Sequence, residues 1–145
     1  MAHKYLNKIG IKSTETCIFN TEEKEKSPRQ KHFNKMRKKH GFDSRETWAL
    51  DFTLATWIYE HFMCYKKYAA IDLTFHKFMI PAWDNENNEI SNETIEVTQE
   101  EAINIVLDNI KFYLVNEEIS MDEVTYKKYE YALRVMGIII PAMWW

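Results

Sequence analysis

The sequence predicts a mostly α-helical fold, with a small helical bundle around a long central helix at about residues 44–70 and a β-hairpin insert at about 71–97. Three observations predict it. The 44–70 segment is apolar on most of its circumference at helical spacing. Residues 71–78 instead alternate loosely with a period of two, as a half-buried strand does. Only three Gly and three Pro occur in 145 residues, which disfavours a β-sandwich.

The first 28 residues are predicted to form an extended or partly disordered arm. They carry few periodic apolar positions and end at a Ser-Pro pair, and only residues 16–19 favour a short strand. The rest of the chain, 29–145, is predicted to fold as a single helical domain, since 145 residues is an ordinary size for one domain.

The helix ends before the hairpin are predicted from their capping residues. Residues 29–40 form a short basic helix, which Gly41 ends in the left-handed position after the last turn. The central helix begins at Asp43 or Ser44, because both side chains are good helix N-caps.

Two capping boxes predict the helices that follow the hairpin. The TQEE run at 98–101 begins a helix at about 99–118. The SMDE run at 120–123 begins another at about 121–136, which Gly137 ends. The apolar face of the first of these helices is predicted to hold Ala102, Ile103, Val106, Leu107, Ile110, Tyr113 and Leu114.

Charge is divided unevenly along the chain. Residues 1–45 hold 12 Lys/Arg against 5 Asp/Glu, whereas residues 46–145 hold 7 against 17. Most of the positive charge lies in segment 24–39, and such a block is a common footprint for nucleic acid. The binding residues predicted on this basis are Lys31, Lys35, Arg37, Lys38, Lys39 and Arg45. The alternative is a basic segment that is solvated or lies against its own acidic chain.

Asp51 is the single carboxylate within the apolar arc of the central helix. A buried carboxylate is costly unless it is paired or hydrogen-bonded. The sequence therefore predicts either a structural lock to Arg45, Arg134, a hydroxyl or a helix N-terminus, or a polar anchor in a ligand pocket. The residues predicted to line such a pocket or an interface are Trp48, Asp51, Trp57, Phe112, Trp144 and Trp145.

The chain ends in the apolar run 137–145, which closes with two Trp residues. Each Trp side chain would bury about 200 Å² if it docked. The tail is therefore expected either to complete its own core or to form a subunit or partner interface. Phe112 lies off the main apolar face of its helix and weakly favours the interface.

The sequence contains no motif of a known catalytic chemistry. It has no P-loop, no Gly-rich phosphate cradle and no nucleophile elbow. His61, Cys64 and His76 are the candidate zinc ligands, but no CxxC or HExxH motif accompanies them, and His61 falls among expected core positions. The expectation is a non-enzymatic protein without a metal or another cofactor.

The compartment is predicted from three observations. The N-terminus is too polar for a signal peptide. The longest uncharged run, 135–145, has 11 residues and is too short to span a bilayer. Two cysteines without a secretory segment fit a reducing cytosol. Together they predict an intracellular protein that has no membrane segment.

Residues 46–55 read ETWALDFTLA, residues 57–60 read WIYE, and the chain ends in Trp144-Trp145. In these motifs the chain resembles a family of small tailed-bacteriophage proteins, which also begin with a basic segment. The resemblance implies a phage protein that acts in the host cytoplasm. The family has no settled biochemical activity, so the resemblance implies no mechanism.

Two classes of function are expected. The first is a non-enzymatic phage accessory protein that binds a host or defence-system component, with a host or phage protein as partner or a second copy in a homo-oligomer. Capture of a small nucleotide between subunits is a variant of it. The alternative is a nucleic-acid-binding accessory protein that acts through the basic segment 24–39.

Overall fold

The computed structural model describes residues 4–11, 28–47, 49–116 and 122–143. Contacts between Cα atoms divide the chain into two compact units, Met1–Glu60 and His61–Trp145. The division falls within a helix, whereas the sequence places an arm before residue 29 and one domain after it. That predicted arrangement stays a prediction.

The first unit contains α1 (Lys4–Lys8), α2 (Pro28–His40), a 3₁₀ turn (Ser44–Thr47) and the first part of α3 (Leu50–Tyr68). The predicted end of α2 is confirmed, because Gly41 adopts a φ of +82° and donates its N–H to the carbonyl of Arg37 at 2.8 Å. The start of the central helix is different. The predicted first turn is a separate 3₁₀ turn, and α3 begins only at Leu50.

α1 lies within the predicted arm, and its residues are helical where the sequence suggests extended chain. The backbone N–H groups of Tyr5 and Leu6 donate to Oε1 of Glu60 at 3.1 and 2.8 Å. A carboxylate at a helix N-terminus is favourable, and the Leu6 side chain is fully buried. A cap from 54 residues away therefore holds this helix. The predicted strand at 16–19 lies outside the described residues.

The second unit contains the rest of α3, the strands β1 (Lys77–Asp84) and β2 (Glu89–Thr98), the helices α4 (Gln99–Asn116) and α5 (Glu123–Ile139), and a 3₁₀ turn (Ile140–Ala142). The strands pair antiparallel, with Ile80 opposite Ile95, and the register shifts between Pro81 and Trp83. Ile80 is fully buried. The predicted hairpin is confirmed.

The strand predicted from residue 71 begins six residues later than expected. Residues before it form a turn around Asp72, whose Oδ1 accepts hydrogen bonds from the backbone N and the hydroxyl of Thr74 at 2.9 and 2.6 Å. Short polar side chains that bond their own backbone compete with a strand ladder. The loose alternation at 71–76 is therefore a turn.

The capping box before α4 is confirmed. The backbone N–H of Glu101 donates to the Thr98 hydroxyl at 3.2 Å, and that of Thr98 donates to Glu101 Oε2 at 2.7 Å. The whole predicted apolar face of α4 is buried, as its helical spacing requires: Ala102, Ile103, Val106, Leu107, Ile110, Tyr113 and Leu114. This helix packs on α5, where the Tyr113 and Tyr129 rings stack with centroids 4.4 Å apart.

Both ends of α5 differ from the prediction. Its N-cap is Asp122, whose carboxylate accepts from the backbone N of Thr125 at 2.7 Å, while the predicted cap Ser120 lies outside the described residues. The helix also continues through Gly137, so the predicted stop there is wrong. A glycine within a helix costs only about 1 kcal/mol, and burial of Ile139 one half-turn later favours continuation.

The fold class is confirmed as mostly α, with packed helices and a two-stranded antiparallel hairpin. Within the described part of the chain, no helix combines the length and the apolar content that a membrane crossing needs.

Candidate interaction surfaces

One side of α2 carries four exposed lysines, Lys31, Lys35, Lys38 and Lys39, here called the lysine face. At 3.6 residues per turn they lie within about 100° of arc. The other side of α2 carries Phe33, which is buried. The helix contains no acidic residue, and none of the four lysines pairs with a carboxylate among the residues that the structure describes.

The two arginines predicted to join this surface point elsewhere, because both bind Asp43. Arg37 Nε donates to Asp43 Oδ2 at 2.8 Å, and Arg45 donates to both carboxylate oxygens, from Nη2 at 2.9 Å and from Nε at 3.0 Å. The Asp43 side chain is fully buried, and the two guanidinium side chains are 17% and 11% exposed. Asp43 therefore neutralises positive charge of both arginines within the first unit. Of the six basic residues predicted to bind nucleic acid, the four lysines remain on the exposed surface.

Asp43 is ionised in this environment. Burial by itself raises the pKa of its carboxyl group, but the hydrogen bonds from the Arg45 side chain and backbone and the charge of Arg37 outweigh that effect and hold the pKa below its usual value. The Arg45 guanidinium also lies 4.3 Å from the centroid of the Phe33 ring. These contacts connect α2 to the 3₁₀ turn and fix which side of α2 faces outward.

A second exposed feature of the first unit is apolar. Leu50, Leu54 and Trp57, here called the α3 ridge, are 62%, 37% and 39% exposed. Their spacing of four and three residues places them on one face of the helix. Ala55 and Tyr59, on the opposite side, are buried. Among the described residues of α3, the apolar arc of the sequence is thus buried on the side of Ala55 and Tyr59 and exposed along the ridge.

Asp51 is exposed, so the expectation that it lies buried in the apolar arc is wrong. It occupies the first turn of α3, where a carboxylate interacts favourably with the helix dipole. Its neighbours on the helical wheel, Ile58 and Phe62, are buried further along α3, so the exposure at this position belongs to the first turn. Asp51 lies beside the α3 ridge.

The other predicted interface residues are distributed differently. Phe112 is exposed in the second unit, where the Lys128 ammonium lies 5.0 Å from its ring centroid and 4.8 Å from that of Trp83. The Lys128 cation therefore connects α5 to α4 and to the hairpin. Trp48, Trp144 and Trp145 lie outside the described residues.

The structure does not support the zinc site considered from the sequence. Within the described ranges, no group of three or more His, Cys, Asp or Glu side chains is placed to hold a metal ion. His61 is exposed, which also contradicts the expectation of a core histidine, and Cys64 is an exposed free cysteine.

Comparison with known proteins adds no relative. The chain matches no protein-family model, no curated protein and no solved structure.

Sequence reasoning missed the Asp43 cluster, although a signal for it was present. Arg37 and Arg45 flank Asp43 at six and two residues, and Gly41 makes the chain turn between them. That turn brings basic side chains from both segments toward one carboxylate. No comparable signal in the sequence predicts the position of Lys128 between two rings, because Trp83 and Phe112 contact it only through tertiary packing.

Proposed function

We propose that the chain is a non-enzymatic accessory protein of a tailed phage that acts in the host cytoplasm and binds a host or defence-system protein through the α3 ridge. The observation that carries the proposal is the exposure of Leu50, Leu54 and Trp57 on one face of α3. The phage origin and the compartment rest on the resemblance of the ETWALDFTLA segment, and the absence of a catalytic motif in the sequence supports a binding role.

The ridge has the spacing that helices use to enter a partner's groove. Anchors at positions i, i+4 and i+7 of an amphipathic helix are a recurring recognition mode. Exposed apolar patches on a folded protein mark interaction sites, and Trp is enriched among residues that dominate binding energy. Because the other side of α3 is packed, the three side chains are held on an already formed helix, which lowers the entropic cost of binding.

The chemistry of the ridge defines the partner. Two Leu side chains and an indole fit an apolar groove on a protein, and Asp51 at the edge favours a basic residue on its rim. A nucleic acid would not be recognised by these side chains, because the ridge carries no positive charge. The proposed partner is therefore a protein with an apolar groove.

The test is a capture experiment with the tagged full chain and a nuclease-treated lysate of the bacterial host, washed at high salt. The wild type is compared with Trp57→Ala and Leu54→Ala, and with Phe75→Ala as a matched control, since Phe75 is an exposed ring outside the ridge. Circular dichroism checks that each variant is folded. The expected result is a protein retained by the wild type and by Phe75→Ala and lost with both ridge variants.

Affinity measured with the purified partner makes the test quantitative. Truncation of a Trp anchor costs about 2 kcal/mol or more, so Trp57→Ala should weaken binding by about 30-fold or more. The proposal fails if the captured protein binds all four chains equally. It also fails if the ridge variants abolish self-association and no other protein is captured, because the ridge would then join two copies.

A further inference from the structure

We propose that the lysine face of α2 binds the phosphate backbone of double-stranded nucleic acid, without sequence preference. This goes beyond the proposed function, because it uses different residues on a different helix and a partner of different chemistry. The two proposals can therefore fail separately.

The density of positive charge along the lysine face is similar to the density of phosphate charge along one strand of a duplex. From Lys31 to Lys39 the helix rises about 12 Å, and the four ammonium groups along it give on average one positive charge per about 4 Å. Phosphates follow one another at about 3.4 Å of helix axis along each strand of B-DNA. All four side chains are exposed, so their flexible stems can adjust to the remaining mismatch.

The buried cluster beneath α2 determines the kind of contact. Arg37 and Arg45, which could form bidentate contacts with a guanine edge, are instead held by Asp43. Phe33 is the one Phe, Tyr or Trp of this helix, and it is buried. Lysines alone act as point charges and contact phosphates. Because no Phe, Tyr or Trp stands among the four positions of the lysine face, the surface favours a duplex over a single strand.

The distribution of charge makes the lysine face the natural docking point for a polyanion. Residues 1–60 hold 12 Lys/Arg against 8 Asp/Glu, a net of +4, and residues 61–145 hold 7 against 14, a net of −7. The second unit therefore repels a polyanion. On α2 no carboxylate opposes the lysines, so association depends on this helix and responds strongly to its charge.

The test is a titration of the full-length protein with fluorescent 30-base-pair duplexes of two unrelated sequences, measured by anisotropy between 50 and 200 mM salt. Four phosphate contacts predict a slope of log K against log salt of about −3.6, which is about a 150-fold loss of affinity over this range. Lys35→Gln/Lys38→Gln should halve the slope, so that the loss falls to about 12-fold. The two duplex sequences should bind alike.

The matched control is Lys77→Gln/Lys127→Gln. It removes the same number of ammonium groups from the second unit, where those lysines pair with Glu96 and Glu123. It should leave the slope unchanged and weaken binding at most slightly, because it adds to the negative charge of the second unit. Circular dichroism verifies that each variant is folded, and Trp57→Ala should bind duplex as the wild type does.

Three results would overturn the proposal. The first is an absence of duplex binding at 50 mM salt. The second is an equal slope for the α2 double variant and its control. The third is binding to vesicles of anionic phospholipid with none to duplex, which would assign the lysine face to a membrane surface.

Discussion

Asp43→Asn tests whether the buried carboxylate holds α2 in place. The substitution keeps the shape of the side chain and removes its charge. In the wild type, Oδ2 accepts from Arg37 at 2.8 Å and from Arg45 at 2.9 Å, and Oδ1 accepts from the Arg45 backbone and Nε, both at 3.0 Å. An asparagine retains one acceptor oxygen and turns an NH₂ group toward guanidinium donors, so at least two of these four hydrogen bonds are lost.

The expected cost is about 3 kcal/mol. Breaking a buried ion pair by removal of one partner typically costs about 3–5 kcal/mol, because the other charge remains buried and unpaired. The lower end applies here, since Arg37 and Arg45 keep 17% and 11% of their side-chain exposure and can turn partly toward water. Loss of one ordinary hydrogen bond would cost only about 1 kcal/mol. The loss of stability expected for a broken ion pair and that expected for a single lost hydrogen bond therefore differ by a measurable margin.

The assay is amide hydrogen exchange, because it reports the opening of α2 separately from the second unit. The Gly41 amide, which donates to the Arg37 carbonyl, is a suitable probe. A loss of 3 kcal/mol should accelerate its exchange by about 150-fold. Asp108→Asn is the matched control, since Asp108 is exposed on α4, and it should change exchange at Gly41 by less than a factor of about 2.

The same cluster predicts a dependence on pH. The pKa of Asp43 is lowered on folding, so its stabilising contribution is fully present above about pH 4 and is lost as the pH falls through the folded pKa. In the wild type, protection at Gly41 should decrease as the pH falls below about 4, and in Asp43→Asn the decrease should be much smaller. Unchanged protection in Asp43→Asn at neutral pH would refute the reasoning.

Two further predictions concern stability of the second unit, measured by denaturant unfolding. Gln99 is fully buried, and its Oε1 has no hydrogen-bond partner in the described structure, while its Nε2 donates to the Tyr65 hydroxyl only at a long 3.4 Å. Removal of the unpaired oxygen should outweigh loss of that bond, so Gln99→Met should raise the free energy of unfolding by about 1 kcal/mol. A loss of stability in Gln99→Met would show that this oxygen is bonded in solution. The Tyr131 hydroxyl donates to the Pro81 carbonyl at 2.8 Å, and burial raises the pKa of Tyr131, which keeps it protonated. Tyr131→Phe should therefore cost about 1 kcal/mol, and an unchanged midpoint would contradict that bond.

The features that the sequence predicts correctly depend on interactions within a few residues. The end of α2 at Gly41 and the capping box before α4 are local hydrogen-bond patterns. The buried face of α4 follows from helical spacing, because a helix with one apolar side is stable only when that side leaves water. The sequence also predicts the hairpin from local spacing, although β1 begins later than the alternation suggests.

The errors at Asp51, Leu54 and Gly137 share a cause, which is that periodicity shows which side chains could be buried but not which are covered. The 44–70 segment is apolar around most of its circumference, and Asp51 and Leu54 fall inside that arc. Both are exposed, because no element of the described chain covers them. The error at Gly137 is similar: local propensity suggests a stop, and packing of the residues beyond it extends the helix.

The two candidate surfaces also depend partly on the sequence and partly on tertiary packing. The sequence determined that segment 24–39 is basic and that the 44–60 region is rich in apolar side chains. It could not determine that Arg37 is bound to Asp43 while Lys35 and Lys38 face solvent, because all three are cations on one helix. The difference depends on where the turn at Gly41 places a single carboxylate.

The sequence by itself determined the mostly α class, the hairpin, the charge asymmetry and the helix ends at Gly41 and at the capping box before α4, because these depend on composition, on spacing and on bonds between near neighbours. Only the tertiary structure decided which cations are neutralised and which apolar side chains stay in water. Burial and ion pairing depend on the elements that meet in space, and Glu60 capping a helix 54 residues earlier shows how far apart those elements are in the chain. The lysine face of α2 and the α3 ridge are exposed surfaces only because of that burial and ion pairing.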